Sequence, residues 1–131
     1  MKTIYLILLL VAALSCSSSK NSVKAFSHDD FLIGRSQSSL IGKIVKLTSD
    51  KESHEIRLLV ASMKQGGATA PAVGVNSEVT VICTPLFSKN YKTRNNKSLE
   101  DVLKTDDEIL MLVSKNLRSQ KLEAIQIITQ N

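Results

Sequence analysis

Histidine and carboxylate side chains are the residues of this chain that could carry acid–base or metal chemistry. Residues 28–30 read HDD, residues 105–108 read TDDE, and the chain holds only two histidines. A metal site needs several such ligands that converge from separate segments. An enzyme would have to bring His54 to Asp106 or Glu108, whereas runs of this kind are ordinarily solvated turns. We therefore expect no catalytic residue, no metal site, no cofactor and no enzymatic activity.

The two cysteines of the chain lie in different surroundings. Cys83 belongs to the apolar segment VTVICTPLF, which predicts a buried and unreactive thiol in the core. Cys16 directly follows an apolar segment and precedes the polar segment SSSKNS. A cysteine at this place in an N-terminal segment is usually modified, and seldom performs chemistry itself.

Residues 1–15 predict a signal peptide. One lysine precedes ten consecutive apolar residues, 4–13, about half of the roughly 20 that a membrane-spanning helix needs. Ala13 and Ser15 are small residues three and one positions before Cys16, which suits cleavage directly before the cysteine. This arrangement resembles the lipobox of bacterial lipoproteins, and the resemblance implies that Cys16 is the lipidated residue. The order alanine then leucine departs from the family pattern, so ordinary secretion and a retained single-span anchor remain alternatives.

Export and lipidation together predict a location. We expect a lipid anchor on Cys16 to hold the protein at a membrane of the bacterial cell envelope. The expected membrane is the outer membrane, with the protein on its periplasmic or its surface face. The expected partners are therefore that membrane and either an envelope protein or an anionic polymer. Lys2 is the only charged residue of the predicted signal peptide. Its removal lowers the net charge from +5 for the full chain to +4 for the mature chain.

Basic residues occur in two stretches, residues 89–97 and 114–121. In the second, Lys115, Arg118 and Lys121 are the candidate ligand-binding residues, because their charges could meet an anionic ligand. The alternative is that they only solvate a loop and protect a strand edge. Export, an aromatic content of 4% and the absence of Trp argue against nucleic acid, because single-strand binders stack bases on aromatic rings.

The pattern of apolar residues predicts five strands and one helix. Residues 16–38 are rich in serine and predict a flexible tether, although FLIG at 31–34 is apolar enough to dock on the domain. Residues 39–131 form the predicted domain. The predicted elements are a hairpin of Leu40–Thr48 with Glu55–Met63, a strand over residues 77–87, a short helix starting after Ser98, and a second hairpin of residues 108–116 with 121–129.

This order, β-β-β-α-β-β, resembles the OB-fold, a small five-stranded β-barrel. The fold class expected is thus mainly β with one short helix, and a five-stranded sheet of another topology is the alternative. The resemblance implies a binding face bordered by the last hairpin, where Lys115, Arg118 and Lys121 lie.

These observations favour a non-enzymatic lipoprotein of the cell envelope that serves as a small binding or interaction module. The alternative is a secreted or envelope assembly or scaffold protein without a small-molecule ligand. A ligand-binding module should gather polar and basic residues on one concave face. A scaffold should show an exposed apolar patch or a free strand edge.

Overall fold

The computed structural model describes residues 25–50 and 53–130. The predicted signal peptide, Cys16 and the first part of the tether lie outside the described residues. The elements are a 3-10 helix His28–Asp30, strands β1 Gln37–Asp50, β2 Ser53–Gln65 and β3 Glu78–Cys83, helices α1 Pro85–Asn95 and α2 Leu99–Val102, and strands β4 Glu108–Lys115 and β5 Leu122–Ile128. None of the helices in this part of the chain has the length and apolar character needed to cross a membrane.

The five strands close into one barrel in the order β1-β2-β3-β5-β4. Strand β3 runs parallel to β5, with Val81 opposite Leu122 and Ile82 opposite Glu123, and the other pairs are antiparallel. The predicted mainly-β fold is confirmed, with helical structure between the third and fourth strands. The closed five-stranded barrel is compatible with an OB-like fold.

Strand β1 makes closure possible because it pairs on both edges. Its first half, residues 37–43, pairs with β4, and the whole strand pairs with β2. The β1–β2 register shifts after Ile41 and again after Ile44. Such bulges bend a strand and increase its twist. Gly42 lies at the first shift, where a Cβ would come within 2.4 Å of the Leu59 carbonyl oxygen, so only glycine lets β2 approach this closely.

The barrel interior is filled by side chains that alternate along each strand. In β2, for example, Ile56, Leu58 and Val60 are fully buried, whereas Glu55 and Arg57 are exposed. This alternation is the pattern that predicted the first hairpin. The prediction that Cys83 is a core residue is confirmed, because its side chain is fully buried in the same cluster.

Strand β4 is buried on both faces over residues 109–113, which explains its continuous apolar run ILMLV. Ile109 and Met111 point into the barrel, while Leu110 and Leu112 pack in a second cluster outside it. The N-terminal segment covers that second cluster, and its Phe31 is buried there. The expected docking of FLIG is thus observed. Ordered structure begins before residue 39, because residues 25–36 already pack against the barrel.

The predicted third strand is too long at its C-terminal end. Strand β3 stops at Cys83, and helix α1 begins at Pro85. The Thr84 hydroxyl oxygen accepts a hydrogen bond from the Phe87 N–H, and Pro85 occupies the first helical turn, where its missing N–H costs nothing. The helix predicted after Ser98 exists as the four-residue α2, whose N-cap position Ser98 occupies.

Candidate ligand-binding site

The turn between β4 and β5 is held by the side chain and backbone of one asparagine. Asn116 Oδ1 accepts hydrogen bonds from the backbone N–H groups of Arg118 (2.8 Å) and Ser119 (3.2 Å). The Asn116 N–H donates to the Lys121 carbonyl oxygen at 2.8 Å, and the Gln120 N–H donates to the Asn116 carbonyl oxygen at 2.7 Å. Asparagine favours such turns because its side chain satisfies backbone donors nearby. The turn therefore presents its basic side chains from an ordered backbone.

The three candidate binding residues lie on this hairpin and are exposed. Lys115 is the last residue of β4, Arg118 lies in the turn, and Lys121 directly precedes β5. Of the three, Lys121 lines a concave surface, and the lining of that surface includes neither Lys115 nor Arg118. The structure thus places one predicted residue in a cavity and the other two on the hairpin beside it.

The concave surface lies where β3 meets β5, against the outer side of β2, and has a volume of about 370 Å³. We call it the hairpin hollow. Its lining residues are Glu55, Val79, Thr80, Ile82, Gln120, Lys121 and Leu122. Small-molecule sites usually measure about 300–1,000 Å³ and combine an apolar lining with a few polar groups. The hairpin hollow meets both conditions. Its lining combines aliphatic side chains with the Thr80 hydroxyl, the Gln120 amide and the opposite charges of Glu55 and Lys121.

A second polar cluster surrounds His54. Its Nδ1 lies 3.1 Å from Ser88 Oγ, and its Nε2 lies 3.0 Å from Glu100 Oε1. A hydroxyl, an imidazole and a carboxylate in a row are also the components of a nucleophilic triad. The Ser88 N–H, however, donates to the Thr84 carbonyl oxygen within helix α1, so it is not available to stabilise an oxyanion. Neither Ser88 nor His54 lines the hairpin hollow or any of three further cavities of residues 25–50 and 53–130.

This cluster joins three elements. His54 is the second residue of β2, Ser88 lies in α1 and Glu100 lies in α2, so the imidazole links both helices to the barrel. The residues named in the enzyme hypothesis are elsewhere, since Asp106 lies in the turn before β4 and its N–H donates to the Ile44 carbonyl oxygen. The observed geometry is that of a structural clamp.

The HDD segment docks on the barrel through its histidine. His28 Nδ1 lies 2.7 Å from Ser39 Oγ, and Nε2 lies 2.8 Å from Ser62 Oγ. Burial, together with the charge of Lys64, lowers the pKa of His28 below its ordinary value of 6.5, although Asp29 acts in the opposite direction. Within residues 25–50 and 53–130, no group of three or more His, Cys, Asp or Glu residues is placed to hold a metal ion.

Sequence reasoning missed helix α1 and its side chains Phe87, Tyr91 and Arg94. The signal was present, because threonine followed by proline at 84–85 is typical of a helix N-terminus. The partners of His54 left no comparable signal, since Ser88 and Glu100 lie 34 and 46 positions away along the chain.

No family model matches this chain, and no curated protein matches it in sequence. The function must therefore be argued from the geometry of the molecule itself.

Proposed function

We propose that this protein is a non-enzymatic lipoprotein of the bacterial cell envelope, anchored through Cys16, whose OB-like barrel is a small binding module. The observation that carries the proposal is the hairpin hollow, a concave surface of about 370 Å³ beside the β4–β5 hairpin. OB barrels bind their ligands across strands 2 and 3, between the loops that follow strands 1 and 4. The hollow lies on that face, because residues of β2, β3 and the β4–β5 turn line it.

The chemistry of the surface favours a ligand with an anionic group. Lys121 lines the hollow, and Lys115 and Arg118 add two positive charges on the same hairpin. Val79, Ile82 and Leu122 offer an apolar lining for the remainder of the ligand. A polymer with regularly spaced anionic groups, or an acidic protein segment, would meet both the apolar lining and the basic hairpin.

The test compares two triple variants. Lys115→Ser, Arg118→Ser and Lys121→Ser together should abolish most capture of the partner from a cell-envelope extract. The matched control removes three exposed lysines elsewhere on the barrel, Lys43, Lys46 and Lys104, and should leave capture unchanged. Both variants should fold, because exposed substitutions usually change stability by no more than about 0.5 kcal/mol.

Salt gives an independent check. Capture by the wild-type protein should weaken between about 50 and 300 mM salt, since the screening length for exposed charges falls from about 14 Å to about 6 Å over that range. Equal capture by the hairpin variant and the wild-type protein would remove the three residues from the site.

A second candidate function, an assembly or scaffold protein, is favoured by one observation. Leu117, at the tip of the same hairpin, is 83% exposed. A single exposed apolar side chain is common on protein surfaces, so Leu117 supports this candidate only if its substitution affects capture. Replacing Leu117 with Ser should weaken capture only if the partner is a protein that covers the hairpin tip.

A further inference from the structure

Strand β5 leaves part of one edge unpaired. On one side it pairs with β4 along its length, from Leu122 to Ile128. On the other side only Leu122 and Glu123 pair with β3, because β3 ends at Cys83 and the chain turns into helix α1. Among the described residues, no strand pairs with the second edge of residues 124–128, and no backbone hydrogen bond joins residues 126–128 to α1.

A groove runs between this free edge and helix α1. Its volume is about 450 Å³. From the helix, Phe87 and Tyr91 form an apolar wall, with ring centroids 6.4 Å apart. From the strand, Ile125, 43% exposed, is the extra residue of a bulge and lies in the lining. The groove therefore combines unpaired strand backbone with apolar side-chain contacts, the combination by which extended peptides bind to sheet edges.

The charges at the groove have one sign. Helix α1 carries Lys89, Lys92 and Arg94 and has no acidic residue. Arg94 lines the groove itself, where the other polar lining residues are uncharged. A bound segment with acidic side chains would complement this surface, and a basic segment would be repelled.

We propose that the free edge of β5 between residues 126 and 128, together with the facing side of α1, is a docking site for an extended acidic segment of a partner protein. The segment adds a short strand to β5, sets an apolar side chain against Phe87 and Tyr91, and pairs a carboxylate with Arg94. The site is separate from the hairpin hollow, since the two linings share no residue.

Two other occupants fit the charges less well. A second copy of the chain, paired through its own β5, would bring two α1 helices with three positive charges each towards one another. The chain's own residues 17–24 contain Lys20 and Lys24 and no acid, so they too would meet a basic helix with like charge.

The probe is an amidated peptide of sequence TEVEVETG that carries an uncharged fluorophore at its N-terminus, compared with the identically labelled basic peptide TKVKVKTG by fluorescence anisotropy at low salt. The acidic peptide should bind and the basic peptide should not. Arg94→Glu should weaken binding about tenfold, as expected when a favourable pair becomes repulsive. The matched control Lys46→Glu, on the exposed side of β1, should leave affinity unchanged. Lys121→Glu should also leave it unchanged, which separates this site from the hairpin hollow.

Backbone pairing is tested without altering the protein. Alternate residues of a strand direct their N–H groups to opposite edges. One peptide is therefore N-methylated only at its valines and another only at its glutamates, so that each peptide lacks the N–H donors along one edge. One of the two should lose binding and the other should keep it. Amide signals of residues 126–128 should shift on titration.

Three results would overturn the proposal. The first is equal affinity of the two methylated peptides, and the second is failure of the acidic peptide to bind more tightly than the basic one. The third is a stable dimer in sedimentation that excludes the peptide, which would assign the edge to a second copy.

Discussion

Single polar side chains attach the loops of this protein to its barrel. The fully buried Ser38 donates its hydroxyl to the Pro71 carbonyl oxygen at 2.6 Å, and His28 bonds Ser39 and Ser62. In the described residues, every buried side-chain nitrogen and oxygen atom has a hydrogen-bond partner. An unpartnered buried polar group costs about 1–3 kcal/mol, so each of these bonds favours one loop position over its alternatives.

The buried thiol should be unreactive in the native protein. Burial raises the pKa of Cys83 to about 12, and the thiolate is the form that reacts. In a Cys16→Ala background, where Cys83 is the single thiol, labelling by a maleimide or disulfide reagent at pH 8 should be slow without denaturant and fast in urea. Rapid labelling of the native protein would contradict the core position of this strand.

His28 should make stability depend on pH. Its folded-state pKa is lowered, so between that value and 6.5 the unfolded chain binds more protons than the folded one. The contribution of His28 is therefore complete above pH 6.5 and is lost as pH falls through the folded pKa. His28→Gln should be less stable than the wild type at pH 7.5, and the difference in urea midpoint should narrow by pH 5. A constant difference across this range would contradict the assignment.

Helix α1 is weakly attached to the barrel. None of its side chains is fully buried, and Phe87 and Tyr91 pack only partly against the core. The bond between Ser88 and His54 is its polar link to β2. Elements with few buried contacts open locally at a lower free energy than the core does. The groove beside β5 is therefore bounded on one side by a strand of the barrel and on the other by a helix that can move.

Removing the Ser88 hydroxyl tests this link. Ser88→Ala leaves His54 Nδ1 unpartnered and should lower the free energy of unfolding by about 1–2 kcal/mol. Amide hydrogen exchange in α1 should accelerate more than exchange in β1 or β2. Thr93→Ala is the matched control, because Thr93 is exposed on the same helix and its hydroxyl bonds only the Lys89 carbonyl oxygen. If the two variants have the same free energy of unfolding and the same exchange rates in α1, the bond between Ser88 and His54 does not stabilise the attachment of the helix.

For the whole molecule, docking of the N-terminal segment would limit how far the barrel lies from a membrane to which the proposed lipid on Cys16 holds it. Residues 25–36 pack on the barrel, and Phe31 is buried against Leu110 and Leu112. Only nine residue steps separate the proposed anchor, Cys16, from Ala25. Even a fully extended chain covers at most about 30 Å over that distance. If Cys16 carries lipid, the binding surfaces operate close to the membrane.

The anchor is tested by one substitution. Cys16→Ala should move the protein from the detergent phase to the aqueous phase in a Triton X-114 partition, because the substitution removes the residue that is proposed to carry the lipid. Cys83→Ala, which alters the other cysteine, should leave partitioning unchanged. Wild-type protein in the aqueous phase would indicate ordinary secretion.

Local patterns in the sequence determined most of the strands. Alternation in β2 and the turn residues between the strands predicted both hairpins, and the apolar surroundings of Cys83 predicted its burial. These features depend on neighbours within a few positions, so they can be recognised without knowledge of the fold. The proposed export of the protein likewise rests on residues 1–16 alone.

Tertiary structure decided the features that depend on distant pairing. The parallel contact of β3 with β5 creates the hairpin hollow. This contact ends at Glu123, so among the described residues the edge of β5 that faces away from β4 has no strand partner beyond that residue. His54 meets Ser88 and Glu100 because it pairs with Cys83 at the end of β3, from which the chain continues directly into α1 and then α2. No local pattern encodes these contacts, since each depends on how the closed sheet positions segments that lie tens of residues apart in the chain.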